Sequence, residues 1–157
     1  MTNDEARAML RTAMALHSAD DIDGALDAAG RAVAVDPGYA DAHAYLGNTL
    51  VTRRRRFADG LAALERAAEL QPDEPAVLYT LGWCREFVAH ALERPRGRHQ
   101  AVDADAPALY NAAREALLDA LALDPDAGLR GDIEDMLDVV AAATGEPWDE
   151  TPAAGSA

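Results

Sequence analysis

Residues 40–72 read ADAHAYLGNTLVTRRRRFADGLAALERAAELQP, and the order of small, apolar and turn residues in this stretch decides the fold. Leu46-Gly47 stands in its first half, Arg53 to Arg56 in the middle, and Gly60, Leu64 and Ala67 in its second half, before Pro72. The spacing predicts two helices joined by an arginine-rich turn. Proline disfavours an α conformation in the residue before it, so the second helix is expected to stop at Gln71.

The same order recurs on both sides. Upstream, Ala13 takes the place of Gly47, and Ala25, Ala29 and Ala32 repeat the spacing of Gly60, Leu64 and Ala67 before Asp36-Pro37. Downstream, Pro75, Leu78 and Leu81-Gly82 open a third copy, closed much later by Tyr110, Ala113, Leu117, Ala120 and Pro125. Small residues at Ala13, Ala25, Gly47, Gly60, Gly82 and Ala113 have a geometric reason. Two antiparallel helices approach closely only where a side chain is nearly absent, and a larger one overpacks the crossing by about 1–3 kcal/mol. Leu46, Leu64, Leu81 and Leu117 are expected to fill the gaps beside them.

This arrangement resembles the tetratricopeptide repeat, whose outline is an aromatic, Leu-Gly and Tyr in one helix and Ala, Phe, Ala and Pro in and after the next. The resemblance covers residues 6–126. It implies an all-α fold, a right-handed helix-pair solenoid of three such units plus a C-terminal capping helix. The units are expected at about 6–39, 40–73 and 74–126, the capping helix at about 127–143, and a flexible tail at 144–157. The first unit carries Met9, Thr12 and Leu16 where the outline has the aromatic, Leu and Tyr. Pro72 and Pro125 are 53 residues apart, about 19 more than one repeat of about 34. The insertion falls at about 90–106, within a first helix lengthened to Glu93, a loop from Arg94 to Asp105 and a new helix near Pro107 capped by Asp105.

Other boundaries come from local chemistry. Thr2 and Glu5 have capping-box spacing, which places the first helix from near Asn3 to about His17. Leu129, Ile133, Met136, Leu137 and Val140 give the capping helix its apolar face, and Thr144-Gly145 ends it. In the tail, Trp148 either tucks against the last helix or forms an acidic-aromatic ligand motif, and its large apolar surface favours the first.

Composition narrows the function. Alanine supplies 37 of the 157 residues and aromatics only 5%, which favours helix over sheet. A net charge of −14 disfavours nucleic-acid and anionic-membrane binding, because both need a basic surface. The single cysteine, Cys84, excludes an internal disulfide and a cysteine-based zinc site. Cys84 and His90 are six residues apart on one helix, about 240° around it, too far for a dyad. His43, in the place of the family's aromatic, is expected to pack. No signal peptide, spanning segment, catalytic constellation, metal cluster or cofactor loop is legible, so a non-enzymatic cytoplasmic protein without cofactor or metal is expected.

In the family, the first helices of successive units line a groove that holds ligand peptides. Carried over, that face takes Leu10, Met14 and His17 from the first unit, Ala44, Asn48 and Val51 from the second, and Tyr79, Trp83 and Phe87 from the third. Independently, Tyr79, Trp83, Phe87 and His90 share one helical stripe. Such a stripe either supplies binding hot spots or packs against the insertion or the capping helix; both hold if the insertion covers part of the groove. Some chaperone-binding members grip a C-terminal carboxylate with basic and amide side chains. Only Asn48 matches here, so an apolar or aromatic segment is the expected ligand.

All basic residues are arginine, and half stand in Arg53, Arg54, Arg55, Arg56 and Arg94, Arg96, Arg98. In a helix-pair solenoid these two turns share an edge, suited to carboxylate or phosphate. Alternatively the runs are solvated turns, or are neutralised by acidic residues of this chain or of a second copy. The expected activity is partner binding as an adaptor, scaffold or chaperone-like module. The alternatives are anion or nucleic-acid binding through the arginine edge, or self-association of that edge with an acidic face; salt sensitivity separates both from groove binding.

Overall fold

The computed structural model describes residues 3–149 and contains, among them, seven helices and no strand. In order they are α1 (Asp4–Ser18), α2 (Ile22–Val35), α3 (Ala40–Arg54), α4 (Phe57–Leu70), α5 (Pro75–Glu93), α6 (Ala106–Ala122) and α7 (Ala127–Thr144). The starts follow from side-chain caps. Asn3, Asp21, Asp105 and Asp126 each accept a hydrogen bond from an amide of the following first turn, which satisfies a donor the helix itself cannot. Asn3, not Thr2, caps α1, and Thr2 lies outside the described residues. The residues before the prolines, Asp36 and Gln71, are the C-caps of α2 and α4.

Helices pack as pairs, α1 on α2, α3 on α4 and α5 on α6, with α7 against α6 and α5. Close approach explains the glycines in the second and third pairs. A Cβ on Gly47 would stand 2.6 Å from the Gly60 carbonyl oxygen, and one on Gly82 would stand 2.7 Å from Leu117 Cγ. In the first pair alanines fill this role, with Ala13, Ala25 and Ala29 buried completely. Leu64, Leu81 and Leu117 are buried beside the crossings, while Leu46 is only half-buried. Ile133, Leu137 and Val140 close the far end of the core from α7. No helix among the described residues is long and apolar enough to cross a membrane.

The insertion is a docked strap. His99 stacks on Phe57 with ring centroids 5.0 Å apart. The Gln100 amide donates to the Arg55 carbonyl at 2.9 Å, and the Asp59 amide donates to Gln100 Oε1 at 2.9 Å. Beyond α7 the chain differs from the expected free tail in its first residues. Arg114 donates to Glu146 and to the Pro147 carbonyl, both at 3.1 Å, and Trp148 Nε1 donates to Asp138 Oδ1 at 2.7 Å. Trp148 is thereby half-buried against the core. Residues 150–157 of that tail lie outside the described residues.

Candidate functional site

Helices α1, α3 and α5 turn one set of side chains toward a shared depression. Its central part, a cavity of about 500 Å³, is lined by His17 from α1, by Tyr45, Asn48, Thr49, Thr52 and Arg53 from α3, and by Tyr79, Thr80 and Trp83 from α5. Tyr45, Asn48 and Thr80 also line an adjoining cavity of about 590 Å³ that reaches Asp41 and Glu74. Met14, Asp41 and Gln71 lead from there into a third, of about 520 Å³, beside Leu10 and Tyr39. The three form one groove across the helix faces. Mixed aromatic and hydroxyl walls suit an extended segment, offering apolar area together with donors and acceptors.

One wall is fixed by a hydrogen-bond chain. Arg53 Nη2 lies 3.4 Å from His17 Nε2, and His17 Nδ1 lies 2.8 Å from the Tyr45 hydroxyl. A guanidinium only donates, so Nε2 accepts and Nδ1 carries the proton it gives to Tyr45. The Tyr45 hydroxyl in turn donates to the Ala13 carbonyl at 3.3 Å. Burial pushes the Tyr45 phenol up. The Tyr79 phenol is pushed up by burial and then by Asp132 and Asp135 of α7.

The expected groove residues divide. His17, Asn48, Tyr79 and Trp83 line the central cavity, and Leu10 and Met14 line the far one, Leu10 almost buried and Met14 49% exposed. Val51 does not belong there. It is 0% exposed and faces α4, where a Cβ on Gly60 would come within 2.5 Å of its Cγ2. Phe87 turns inward as well, meeting Phe57 edge-on with centroids 6.3 Å apart, and His90 is exposed outside the cavities described. Tyr45, Thr49, Thr52 and Thr80 were missed. Of the expected α3 line, Ala44 and Asn48 do face the groove and Val51 does not, Thr52 taking that place; the signal was Gly47, four residues before Val51 and committed to α4.

The two arginine segments meet at one edge. Arg55, in a left-handed conformation at φ 53°, ends α3, donates from Nε to the Arg98 carbonyl at 3.1 Å and lays its guanidinium over the Phe57 ring. Arg54 pairs with Asp23 at 3.0 Å, and Arg56 pairs with Asp59. Among the described residues Arg53, Arg94, Arg96 and Arg98 have no carboxylate within ion-pair distance. All four are exposed.

Cys84 is buried, donates its thiol hydrogen to Asn48 Oδ1 at 3.6 Å, and is pushed up to about 12 by desolvation. His43 is packed, donating from Nε2 to the Pro37 carbonyl at 2.8 Å. Among the described residues no group of three or more His, Cys, Asp or Glu stands close enough to hold a metal ion. Neither a protein-family model nor a curated protein matches the sequence.

Proposed function

We propose that the chain is a tetratricopeptide-like solenoid acting as a non-enzymatic interaction module, holding a segment of a partner protein in the groove between α1, α3 and α5. The observation that carries this reading is the central cavity, where Tyr45, Tyr79 and Trp83 present aromatic surface beside Asn48 and the threonines of α3 and α5. Half-buried aromatics on rigid helices bind with little ordering cost, since their rotamers are already held by packing. Binding rather than catalysis also fits a thiol that burial keeps protonated and therefore poorly nucleophilic.

Site-specific photo-cross-linking tests it. A photoreactive residue at Asn48, in the groove, is expected to capture a discrete partner in cells, and one at Ala62, exposed on α4, is not. Equal labelling from both positions, or none from Asn48, contradicts the proposal.

A further inference from the structure

The aromatic wall of the groove continues beneath the strap. Trp83 lines the central cavity and stacks on Phe87 with centroids 5.6 Å apart, and Phe87 meets Phe57 at 6.3 Å. Phe57 is 0% exposed, and the ring stacked on it is His99, a half-buried residue of the strap. Hydrogen bonds pin the strap there. Arg55 Nε donates to the Arg98 carbonyl, the Gln100 amide to the Arg55 carbonyl, and the Asp59 amide to Gln100 Oε1. The last of these caps α4 from outside, since its own N-cap residue, Arg56, makes no side-chain cap bond. The same junction carries opposing terms. Arg55 holds φ 53°, a left-handed conformation that a residue with a Cβ enters at a cost, and its Nη2 is buried without a hydrogen-bond partner among the described residues. Docking also brings Arg98 to a turn that already carries Arg53 to Arg56, where only Arg54 and Arg56 have carboxylate partners. Like charges brought together repel.

We infer that the strap is a gate over an aromatic subsite. His99 fills the place on Phe57 that an aromatic side chain of the bound segment takes, and lifting the strap extends the groove from Trp83 to Phe87 and Phe57. The inference rests on the groove reading above. A few hydrogen bonds hold the gate and charge and backbone conformation oppose it, so it opens at lower free energy than the helices it joins. An aromatic ring is the occupant, because the Phe57 face already stacks one planar ring at 5.0 Å, a separation at which offset aromatic stacking is favourable.

Titration of the full chain with N-acetylphenylalaninamide, a neutral aromatic probe, followed by nuclear magnetic resonance, tests the inference on wild type and Gln100→Ala. That substitution removes a side-chain bond that docks the strap and leaves His99, Phe57 and Phe87 in place. The expected result is contact of the probe ring with Phe57 and Phe87, and loss of the Phe57–His99 contact as the probe binds. In Gln100→Ala the amide at position 100 exchanges faster and the probe binds about fivefold more tightly, because the loss of one hydrogen bond raises the open fraction by about that factor. Circular dichroism confirms retained helix. Equal affinity in the two proteins, or an amide at position 100 that exchanges no faster, overturns the inference. Probe contacts with Tyr45, Tyr79 and Trp83 alone overturn it and leave the groove reading standing. Contacts with none of these rings contradict both.

Discussion

Trp83 and Phe87, one turn apart on α5, stack with ring centroids 5.6 Å apart and planes inclined by 23°, yet they face different surroundings. Trp83 lines the central cavity, whereas Phe87 meets the buried ring of Phe57, which in turn carries His99 of the insertion. An aromatic column thus runs from the groove wall to the strap. The insertion therefore has a mechanical connection to the proposed binding face.

Removing the outer member of that column is expected to loosen the strap without unfolding the chain. In His99→Ala, amide exchange speeds up at Gln100 and Asp59, whose N–H groups bond to Arg55 and to the Gln100 side chain. Phe57→Ala, by contrast, empties a fully buried site and is expected to cost about 3–5 kcal/mol. Hydrogen exchange and urea unfolding check the pair.

The glycines make opposite predictions. A Cβ on Gly60 meets Val51 Cγ2 at 2.5 Å and the Gly47 carbonyl oxygen at 2.8 Å, so Gly60→Ala forces α3 and α4 apart and destabilises by about 1–3 kcal/mol. Gly30, inside α2, has nothing within 4 Å of the same position, so Gly30→Ala stabilises by about 0.5–1 kcal/mol. Denaturant midpoints at constant slope test both signs.

Cys84 gives a pH signature. Burial raises the folded thiol from its ordinary 9.0 to about 12, so the unfolded chain releases this proton at lower pH than the folded one. Its contribution to stability is whole below about pH 9 and is lost as pH rises toward 12. Tyr39, Tyr45, Tyr79 and Tyr110 are raised too, so the comparison must be with Cys84→Ala. That variant is expected to lose less stability than wild type between neutral pH and pH 10, as read by guanidinium unfolding.

Trp148 is expected to report on the docking of the chain beyond α7. Asp138→Ala removes the acceptor of its indole N–H, costing about 1 kcal/mol, and shifts the Trp148 emission to the red in a Trp83→Phe background. An unchanged spectrum means that the indole is held by other contacts.

The helices were legible because their boundaries are local. Asp105 before Ala106-Pro107, Glu93 before the arginine loop, and the prolines after Asp36 and Gln71 fix ends by capping and φ restriction alone. Which residues of α3 face the groove depends on a different quantity, the rotation of one helix against another. Gly47 and Gly60 set that rotation by letting the backbones touch, and a stripe through Ala44 and Asn48, which do line the groove, continued to buried Val51 and missed Tyr45. The aromatic stripe of α5 was ambiguous for a related reason. Its fate depends on where the insertion lands, and nothing in the spacing of Tyr79, Trp83 and Phe87 says that His99 will cover Phe57.

The most direct test of the groove is the affinity of the segment captured at Asn48 for wild type and for Trp83→Ala, with helicity measured on both. The account predicts retained helix and a loss of about 30-fold, the effect of removing a binding hot spot of about 2 kcal/mol. Unchanged affinity in a folded Trp83→Ala protein would contradict it.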